Sequence, residues 1–106
     1  MITIEQFQAV ELRVATVRAA EAHPNADRLV VLKVDLGGEE RQIVAGIRKH
    51  YDPGTLVGRQ VVVVANLQPA MLRGVESQGM VLAASAGDLL TLVRPDAEIA
   101  PGATVR

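Results

Sequence analysis

A chain of 106 residues, of which 49% are hydrophobic and 22% charged, has the composition of one folded domain and not of a disordered segment. It contains no cysteine, which excludes disulfide bonds and thiolate metal sites. The net charge of −1 argues against a strong overall attraction for nucleic acid, and two aromatic residues, Phe7 and Tyr51, are too few for a row of stacked bases. Any nucleic acid would have to be held by cations gathered on one face.

The apolar segments are short. The unbroken stretch from Val61 to Ala65 is far shorter than the ~20 residues that cross a bilayer. No charged-then-apolar leader stands at the N-terminus. These features predict a soluble, cytoplasmic protein that does not enter a membrane.

The N-terminal segment predicts a helical turn followed by a long, bent strand. Thr3 is the expected N-cap of one turn that extends to Phe7. Apolar and polar residues then alternate from Val10 to Ala20, but Val17 breaks the alternation. Such a shift predicts a bulge or a sharp bend inside the strand.

The later elements follow from apolar runs and turn residues. They are a loop at His23–Asp27, strands at Leu29–Leu36 and Arg41–Ala45 joined by Gly37-Gly38, a helical turn near Leu56, a strand at Arg59–Leu67 buried on both sides, strands at Met80–Ala86 and Leu89–Val93 joined by Gly87-Asp88, and a last strand at Ala103–Val105. Three strands, a short connection and two or more further strands favour an all-β fold, the five-stranded OB-fold barrel with N- and C-terminal extensions. From this pattern alone, a small β-sandwich fits almost as well.

No arrangement of residues indicates catalysis. The two histidines, His23 and His50, lie in separate loops without an acidic partner at a motif spacing, and Glu39-Glu40 is most simply a solvated hairpin tip. No HExxH, P-loop or GxSxG motif is present. We therefore expect a binding module with no catalytic residue, no cofactor and no metal.

A run in the second half of the chain resembles the tRNA-binding domain family. It contains Asn66-Leu67, then Pro69, then Leu72-Arg73-Gly74, then Ser77-Gln78-Gly79-Met80. Residues 25–29 and 41–47 also match the family in order and spacing, so the resemblance extends over residues 1–106 as one domain. Within the family, the chain is most similar to the C-terminal appendage of methionyl-tRNA synthetases, and free-standing tRNA-binding proteins are near relatives.

The resemblance implies an OB-fold barrel, homodimerisation, and tRNA binding that depends on shape more than on base sequence. It also implies a synthetase catalytic domain in the same chain as a partner. One departure bears on affinity: the family often has a basic residue just before Leu-Arg-Gly, and Ala70 and Met71 stand there. At least one phosphate contact is therefore expected to be missing.

Eight residues are predicted to contact RNA, some from the resemblance and some from their position on strands and loops. They are Arg73, Ser77, Gln78, Met80, Asn66, Lys33, Arg41 and Arg28. Each also has a purely structural interpretation. The cations are then solvated surface, the hydroxyl of Ser77 braces its loop, Asn66 bonds loop backbone, and Met80 belongs to the core.

Two further expectations concern this region. Lys33 and Arg41 lie on strands joined through Gly37-Gly38 and are expected to share a face that tracks phosphates, with Arg41 suited to bidentate contact. Gly79 is expected to serve a positive φ or a close backbone approach.

Apolar residues outside the barrel predict an interface. They are Ile2, Ile4, Phe7, Ile99 and Val105. Exposed together, they would be covered by a second copy through a two-fold contact. The alternative is that they close the open end of the barrel.

Two other function classes remain open. One is a dimerisation module with little RNA affinity. The other is a peptide-binding, export-related chaperone, because a sister family of that kind shares the fold. That family has a different stretch at Leu72-Arg73-Gly74 and at Ser77-Gln78-Gly79-Met80, which ranks this function below tRNA binding.

Overall fold

The computed structural model describes residues 1–106 as one short helix, one 3-10 turn and ten strands. In chain order these are α1 (Ile4–Gln8), β1 (Leu12–Ala22), β2 (Val30–Asp35), β3 (Glu40–Ala45), the 3-10 turn (Pro53–Thr55), β4 (Gln60–Val64), β5 (Ala70–Leu72), β6 (Val75–Ser77), β7 (Met80–Val81), β8 (Ala83–Ala86), β9 (Leu89–Leu92) and β10 (Thr104–Val105). The helix has five residues, and no helix is long and apolar enough to cross a membrane.

Five antiparallel strands form a nearly closed barrel. Their order is β3-β2-β1-β4-β7, and β10 adds to the free side of β1. The two edge strands approach each other where the backbone N–H of Gln78, just before β7, donates to the carbonyl of Gln42 on β3 at 2.7 Å. The all-β, OB-like barrel predicted from the sequence is therefore confirmed.

A bulge in β1 lets one long strand serve two sides of the barrel. Its first half pairs with β4, as Leu12 does with Val64, and its second half pairs with β2. The register with β2 shifts between Val17 and Ala19, where the loss of alternation predicted a bend. The bend is therefore confirmed, and it allows β1 to curl around the core.

One hydrophobic core takes side chains from β1, β2, β3, β4 and β7 and from the residue after the 3-10 turn. Its largest fully buried side chains include Leu32, Ile43 and Leu56, and Val61 to Ala65 is buried on both faces. The prediction of a two-sided buried strand is thus confirmed. Leu56 follows the 3-10 turn, is fully buried and belongs to the same core.

The Gly37-Gly38 turn is held by one carboxylate. Asp35 Oδ1 accepts the backbone N–H groups of Gly37 and Gly38 at 2.8 and 3.1 Å, and Asp35 Oδ2 accepts from Arg18 Nη2 at 2.8 Å. The bond from Arg18, followed by the two backbone bonds, holds the pKa of Asp35 below its usual value. This contribution to stability is present above the unfolded pKa of the carboxyl and is lost as pH falls through the lowered pKa.

The N-terminal helix is capped, and the C-terminal tail is tied to the barrel. Thr3 Oγ1 accepts the N–H of Gln6 at 3.1 Å, and Gln6 Oε1 accepts the N–H of Thr3 at 2.8 Å, which confirms Thr3 as a helix cap. At the other end, the N–H of Gly102 donates to the carbonyl of Val14 at 2.7 Å. The tail thus continues along β1.

The single strand predicted near the C-terminal end of the barrel is two strands in the structure, β7 and β8. The segment Met80–Ala86 breaks at Leu82, because β7 pairs with β4 whereas β8 pairs with β9. Leu82 bridges the two partners: its N–H donates to the carbonyl of Val62 at 2.9 Å, and its carbonyl accepts from Val93 at 3.0 Å. The hairpin around Gly87-Asp88 is confirmed.

Candidate nucleic-acid interface

Arg73 lies at the tip of a β-hairpin that the sequence did not predict. Strands β5 and β6 pair from Ala70 with Ser77 to Leu72 with Val75, so the connection is the two-residue turn Arg73-Gly74. Both turn residues have positive φ, 53° and 89°, as the twist of a tight hairpin favours. Arg73 is the one non-glycine residue with positive φ, a conformation that costs about 1–2 kcal/mol. Such backbone strain often occurs at functional sites.

His23 joins this hairpin to the loop after β1. The ring is 5% exposed, and its Nδ1 accepts the backbone N–H of Asn25 at 2.9 Å. Nε2 must then carry the proton, and it donates to the carbonyl of Leu72 at 2.9 Å. Sequence reasoning assigned His23 no partner because both partners are backbone groups and one is 49 residues away. The histidine therefore positions the arginine-bearing hairpin.

Four cations gather at this end of the barrel, which we call the cationic end: Arg28, Arg48, Lys49 and Arg73. The first three line a cleft of about 570 Å³ with Asp27 as its one acidic residue. The N–H of Arg48 donates to the carbonyl of Arg28 at 3.2 Å and fixes these two segments side by side. Arg73 reaches the same loop, its Nη2 donating to the carbonyl of Asn25 at 3.4 Å.

None of these four cations takes part in an ion pair. The three ion pairs of the molecule join Arg13 to Glu11, Arg18 to Asp35 and Arg41 to Glu39. The cations at this end are exposed, so their charge is available to a ligand. Arg48 and Lys49 were not predicted as site residues, because only the fold brings them beside Arg28.

Ser77 is buried and braces the barrel. Its hydroxyl accepts the N–H of Val44 at 2.9 Å and donates to the carbonyl of Gly79 at 2.9 Å. The structural interpretation of this residue is confirmed. Contact between Ser77 and RNA stays a prediction, and any effect of its substitution on binding is expected to act through the position of the loop.

Replacing Ser77 with alanine is expected to lower the free energy of unfolding by about 1–3 kcal/mol, because the N–H of Val44 loses its partner inside the protein. Urea unfolding measures the loss. Ser85→Ala is the matched control, since Ser85 is exposed on β8. Equal stability of the two variants would contradict the bracing role.

Lys33 and Gln78 belong to one polar network across β2, β3 and β6. Lys33 Nζ donates to Gln42 Oε1 at 2.6 Å, and the N–H of Gln42 donates to Gln78 Oε1 at 3.0 Å. Gln42 Nε2 in turn donates to the carbonyl of Glu76 at 2.8 Å. The network docks the hairpin strand β6 against the barrel wall.

Arg41 does not share a face with Lys33, and that prediction is wrong. The register pairs Lys33 with Gln42 and Arg41 with the buried Val34, so the two cations point to opposite sides of their strands. Arg41 instead spans the edge of the barrel. Its Nη1 donates to the carbonyl of Ala65, and its Nη2 lies 3.2 Å from Glu39 Oε2.

Asn66 and Met80 differ in their surroundings. Asn66 Oδ1 accepts the N–H of Glu11 and its Nδ2 donates to the carbonyl of Ala9, both at 2.8 Å, which confirms that it bonds loop backbone. Met80 is 46% exposed, so the expectation that it belongs to the core is wrong. It lies at the edge position opposite Val64 with its side chain outward.

Three of the five predicted interface residues meet in one groove. Ile4, Phe7 and Val105 line a cavity of about 500 Å³ between α1 and β10. Ile2 is 68% exposed and is not among the residues that line the groove. Ile99 is exposed but does not line the groove, because its backbone is held by Gln60 through bonds of 3.0 and 2.7 Å.

A small antiparallel barrel with an unpaired cationic end and a protruding arginine hairpin has the features of a module that binds a phosphate-rich polymer. The sequence profile of the family described as "Putative tRNA binding domain" matches residues 12–104. The chain therefore belongs to this tRNA-binding domain family.

Similar proteins agree with this assignment. A methionine–tRNA ligase of Thermotoga maritima is 59% identical over 104 residues, which cover 98% of this chain but 16% of the ligase. The crystal structure of a MetRS-related protein from Pyrococcus horikoshii superimposes with a TM-score of 0.94 at 36% identity and covers 100% of this chain and 98% of that one. The crystal structure of the chaperone CsaA from Bacillus anthracis superimposes with a TM-score of 0.91 at 31% identity, covering 100% and 99%. The chain is thus similar over its whole length to the C-terminal domain of methionine–tRNA ligases.

Proposed function

We propose that this domain binds tRNA through the sugar-phosphate backbone, carries out no chemistry on it, and acts as a dimeric appendage of a methionine–tRNA ligase or as a free-standing equivalent. The observation that carries the proposal is the cationic end, where Arg73 at the tip of the hairpin and the neighbouring Arg28, Arg48 and Lys49 have no ion-pair partner. As part of such a ligase, the domain would act in the cytoplasm.

The charge distribution resolves the difficulty posed by a net charge of −1. Three arginines are neutralised locally by carboxylates, whereas the cations of the cationic end are not. A phosphate backbone near that end experiences a local positive field although the whole molecule is almost neutral. Phosphate contacts position an RNA without reading its bases, which fits recognition by shape.

The test is titration of wild-type protein with unmodified tRNA at two salt concentrations. Affinity is expected to fall with salt, and Arg73→Ala is expected to weaken binding several-fold and to lower the salt slope by about one. Arg73→Lys keeps the charge and should retain most of the slope.

The matched control for that titration is Arg18→Ala. Arg18 is exposed but bonded to Asp35 at 2.8 Å, so its removal takes away a charge that is already neutralised. Binding that does not change with salt, or the same affinity in the Arg73 and Arg18 variants, would contradict phosphate contact at the hairpin.

The dimer is supported by the groove between α1 and β10 and by the exposed apolar side chains around it. Ile2, Ile4 and Val10 are 68%, 62% and 43% exposed. An isologous contact through this groove would cover them. Two linked copies would present two tRNA sites and so raise the effective concentration of tRNA at a neighbouring catalytic domain.

Peptide binding is the second candidate function, and one observation favours it. Four apolar side chains, Leu67, Met71, Leu72 and Met80, are 46, 64, 37 and 46% exposed on and around the β5–β6 hairpin. The similarity to the chaperone CsaA points the same way. Suppressed aggregation of an unfolded client without a tRNA shift at low salt would support it. A stable dimer with neither activity would favour a pure dimerisation module.

A further inference from the structure

A second cationic cleft lies away from the arginine hairpin, between the start of β4 and the end of β9. It has a volume of about 510 Å³, and its charged residues are Arg59 and Arg94. The one tyrosine of the chain, Tyr51, forms part of its wall. None of these three residues lines the cleft of the cationic end.

Hydrogen bonds hold the wall of this cleft in place. The hydroxyl of Tyr51 accepts the N–H of Leu92 at 2.9 Å and donates to Thr91 Oγ1 at 3.5 Å, so the ring has a fixed position. Arg59 Cζ lies 5.9 Å from the centroid of that ring, and Arg59 Nε donates to the carbonyl of Thr55 at 2.9 Å. The guanidinium is therefore held in place before any ligand arrives.

The two arginines of the cleft form no ion pair within the protein, although Asp96 and Glu98 line the adjoining cleft with them. Burial raises the pKa of Tyr51. The hydrogen bonds with Thr91 and Leu92 and the positive charges of both arginines outweigh burial and hold that pKa below its usual value. The tyrosine thus lies in a positive field.

The backbone connects this cleft to the cationic end. Arg48 and Lys49 line the first cleft, His50 Nε2 lies 3.0 Å from the carbonyl of Asp88 in the β8–β9 turn, and Tyr51 lines the second. Four consecutive residues therefore join two clefts that both lack paired cations. A phosphodiester chain that followed this segment from the first cleft would reach Tyr51, whose ring centroid lies 5.9 Å from Arg59 Cζ.

We propose that the cleft of Tyr51, Arg59 and Arg94 binds a phosphate group, and that the group belongs to the RNA backbone continuing from the cationic end. The inference rests on the proposed tRNA binding and extends it to a second contact. The two guanidinium groups provide fork-shaped donors suited to phosphate oxygens, and the fixed tyrosine ring sets one wall of the site.

The first experiment uses inorganic phosphate as the probe and Tyr51 as the reporter. Because the chain has one tyrosine and no tryptophan, the ultraviolet absorbance of tyrosinate follows this residue alone. An anion between the arginines offsets their field, so phosphate is expected to raise the pKa of Tyr51 relative to chloride at equal ionic strength. No shift, or the same shift in Arg59→Gln/Arg94→Gln, would overturn the site.

The second experiment tests whether the phosphate belongs to RNA. The double variant Arg59→Gln/Arg94→Gln is expected to weaken tRNA binding by about tenfold and to reduce the salt slope by about two. The matched control, Arg13→Gln/Arg18→Gln, removes two arginines that already form ion pairs and should change binding little.

The outcomes separate this inference from the proposed function. Wild-type protein that does not bind tRNA at any salt concentration overturns both. Wild-type binding that is unchanged in Arg59→Gln/Arg94→Gln overturns the second contact and leaves the first standing. A response of Tyr51 to free phosphate without an effect of the double variant on tRNA overturns the assignment to RNA.

Discussion

Gly79→Ala is expected to lower the free energy of unfolding by about 3 kcal/mol, since backbone strain and overpacking each cost about 1–3 kcal/mol. The residue has a φ of 137°, which side-chain-bearing residues rarely adopt. A Cβ there would lie 2.8 Å from the carbonyl oxygen of Val64, and that oxygen belongs to backbone that cannot turn away. The expectation from the sequence, positive φ or a close approach, was thus met in both respects.

Chemical denaturation measures this loss, and Gly87→Ala is the matched control. Gly87 also has positive φ, 58°, but nothing lies within 4 Å of the added Cβ. Gly87→Ala should therefore lower the free energy of unfolding only by the conformational strain, about 1–2 kcal/mol. Equal losses for the two glycines would show that the contact with Val64 has no cost. Because Gly79 lies between Gln78 and Met80, its variant should also weaken tRNA binding.

Ile4→Asp is expected to convert a dimer to a monomer at concentrations where the wild-type protein is dimeric. Ile4 is 62% exposed in the single chain and lines the groove between α1 and β10. The aspartate is therefore tolerated by the monomer but would be a buried, unpaired charge in the proposed interface. An acid in the first turn of the helix also suits the helix dipole. Folding should therefore be preserved.

Sedimentation equilibrium measures the association, with unfolding curves to confirm that the variant is folded. Leu89→Asp is the matched control, because Leu89 is 76% exposed in the β8–β9 hairpin and lies outside the groove. A wild-type protein that stays monomeric at high concentration, or an Ile4 variant that still dimerises, would exclude this interface.

The parts of the fold that local patterns encode were predictable. Thr3 with Gln6 forms a capping box within one turn, Gly37-Gly38 marks a tight turn, and the lost alternation at Val17 marks the bulge. In each case the determining residues are neighbours in the sequence. The buried strand around Val63 was predictable for the same reason, since its apolar run is continuous.

Features that depend on partners from distant parts of the chain were not predictable. The β5–β6 hairpin has three-residue strands, and all three residues of Ala70–Leu72 are exposed, so no alternation of buried and exposed residues marks this strand. The break at Leu82 arises because the chain exchanges one pairing partner for another. A register offset of one residue separates Lys33 from Arg41, which sequence spacing across a turn does not reveal.

The candidate site likewise has one part that the sequence predicts and one part that only the fold assembles. The family motif identified the segment from Arg73 to Met80, and the structure gives Ser77 and Asn66 bracing bonds to backbone. The cationic end could not be assembled from the sequence, because Arg28 and Arg48 meet only through the end of β3 and the loop before β2. Arg48 and Lys49 are neighbours in the sequence, but no local pattern links them to Arg28 or to Arg73.

The seam between β3 and β7 links stability to binding. It is closed by the backbone bond from Gln78 to Gln42 and by side-chain bonds from the hairpin segment, including that of Ser77 with Val44. Opening the barrel at this seam therefore requires the hairpin to move away from the wall. By linkage, any ligand that holds the hairpin in place also shifts the opening equilibrium toward the closed barrel. The hydrogen-exchange protection of the backbone amides at the seam is therefore expected to rise with the fraction of protein that has bound the ligand.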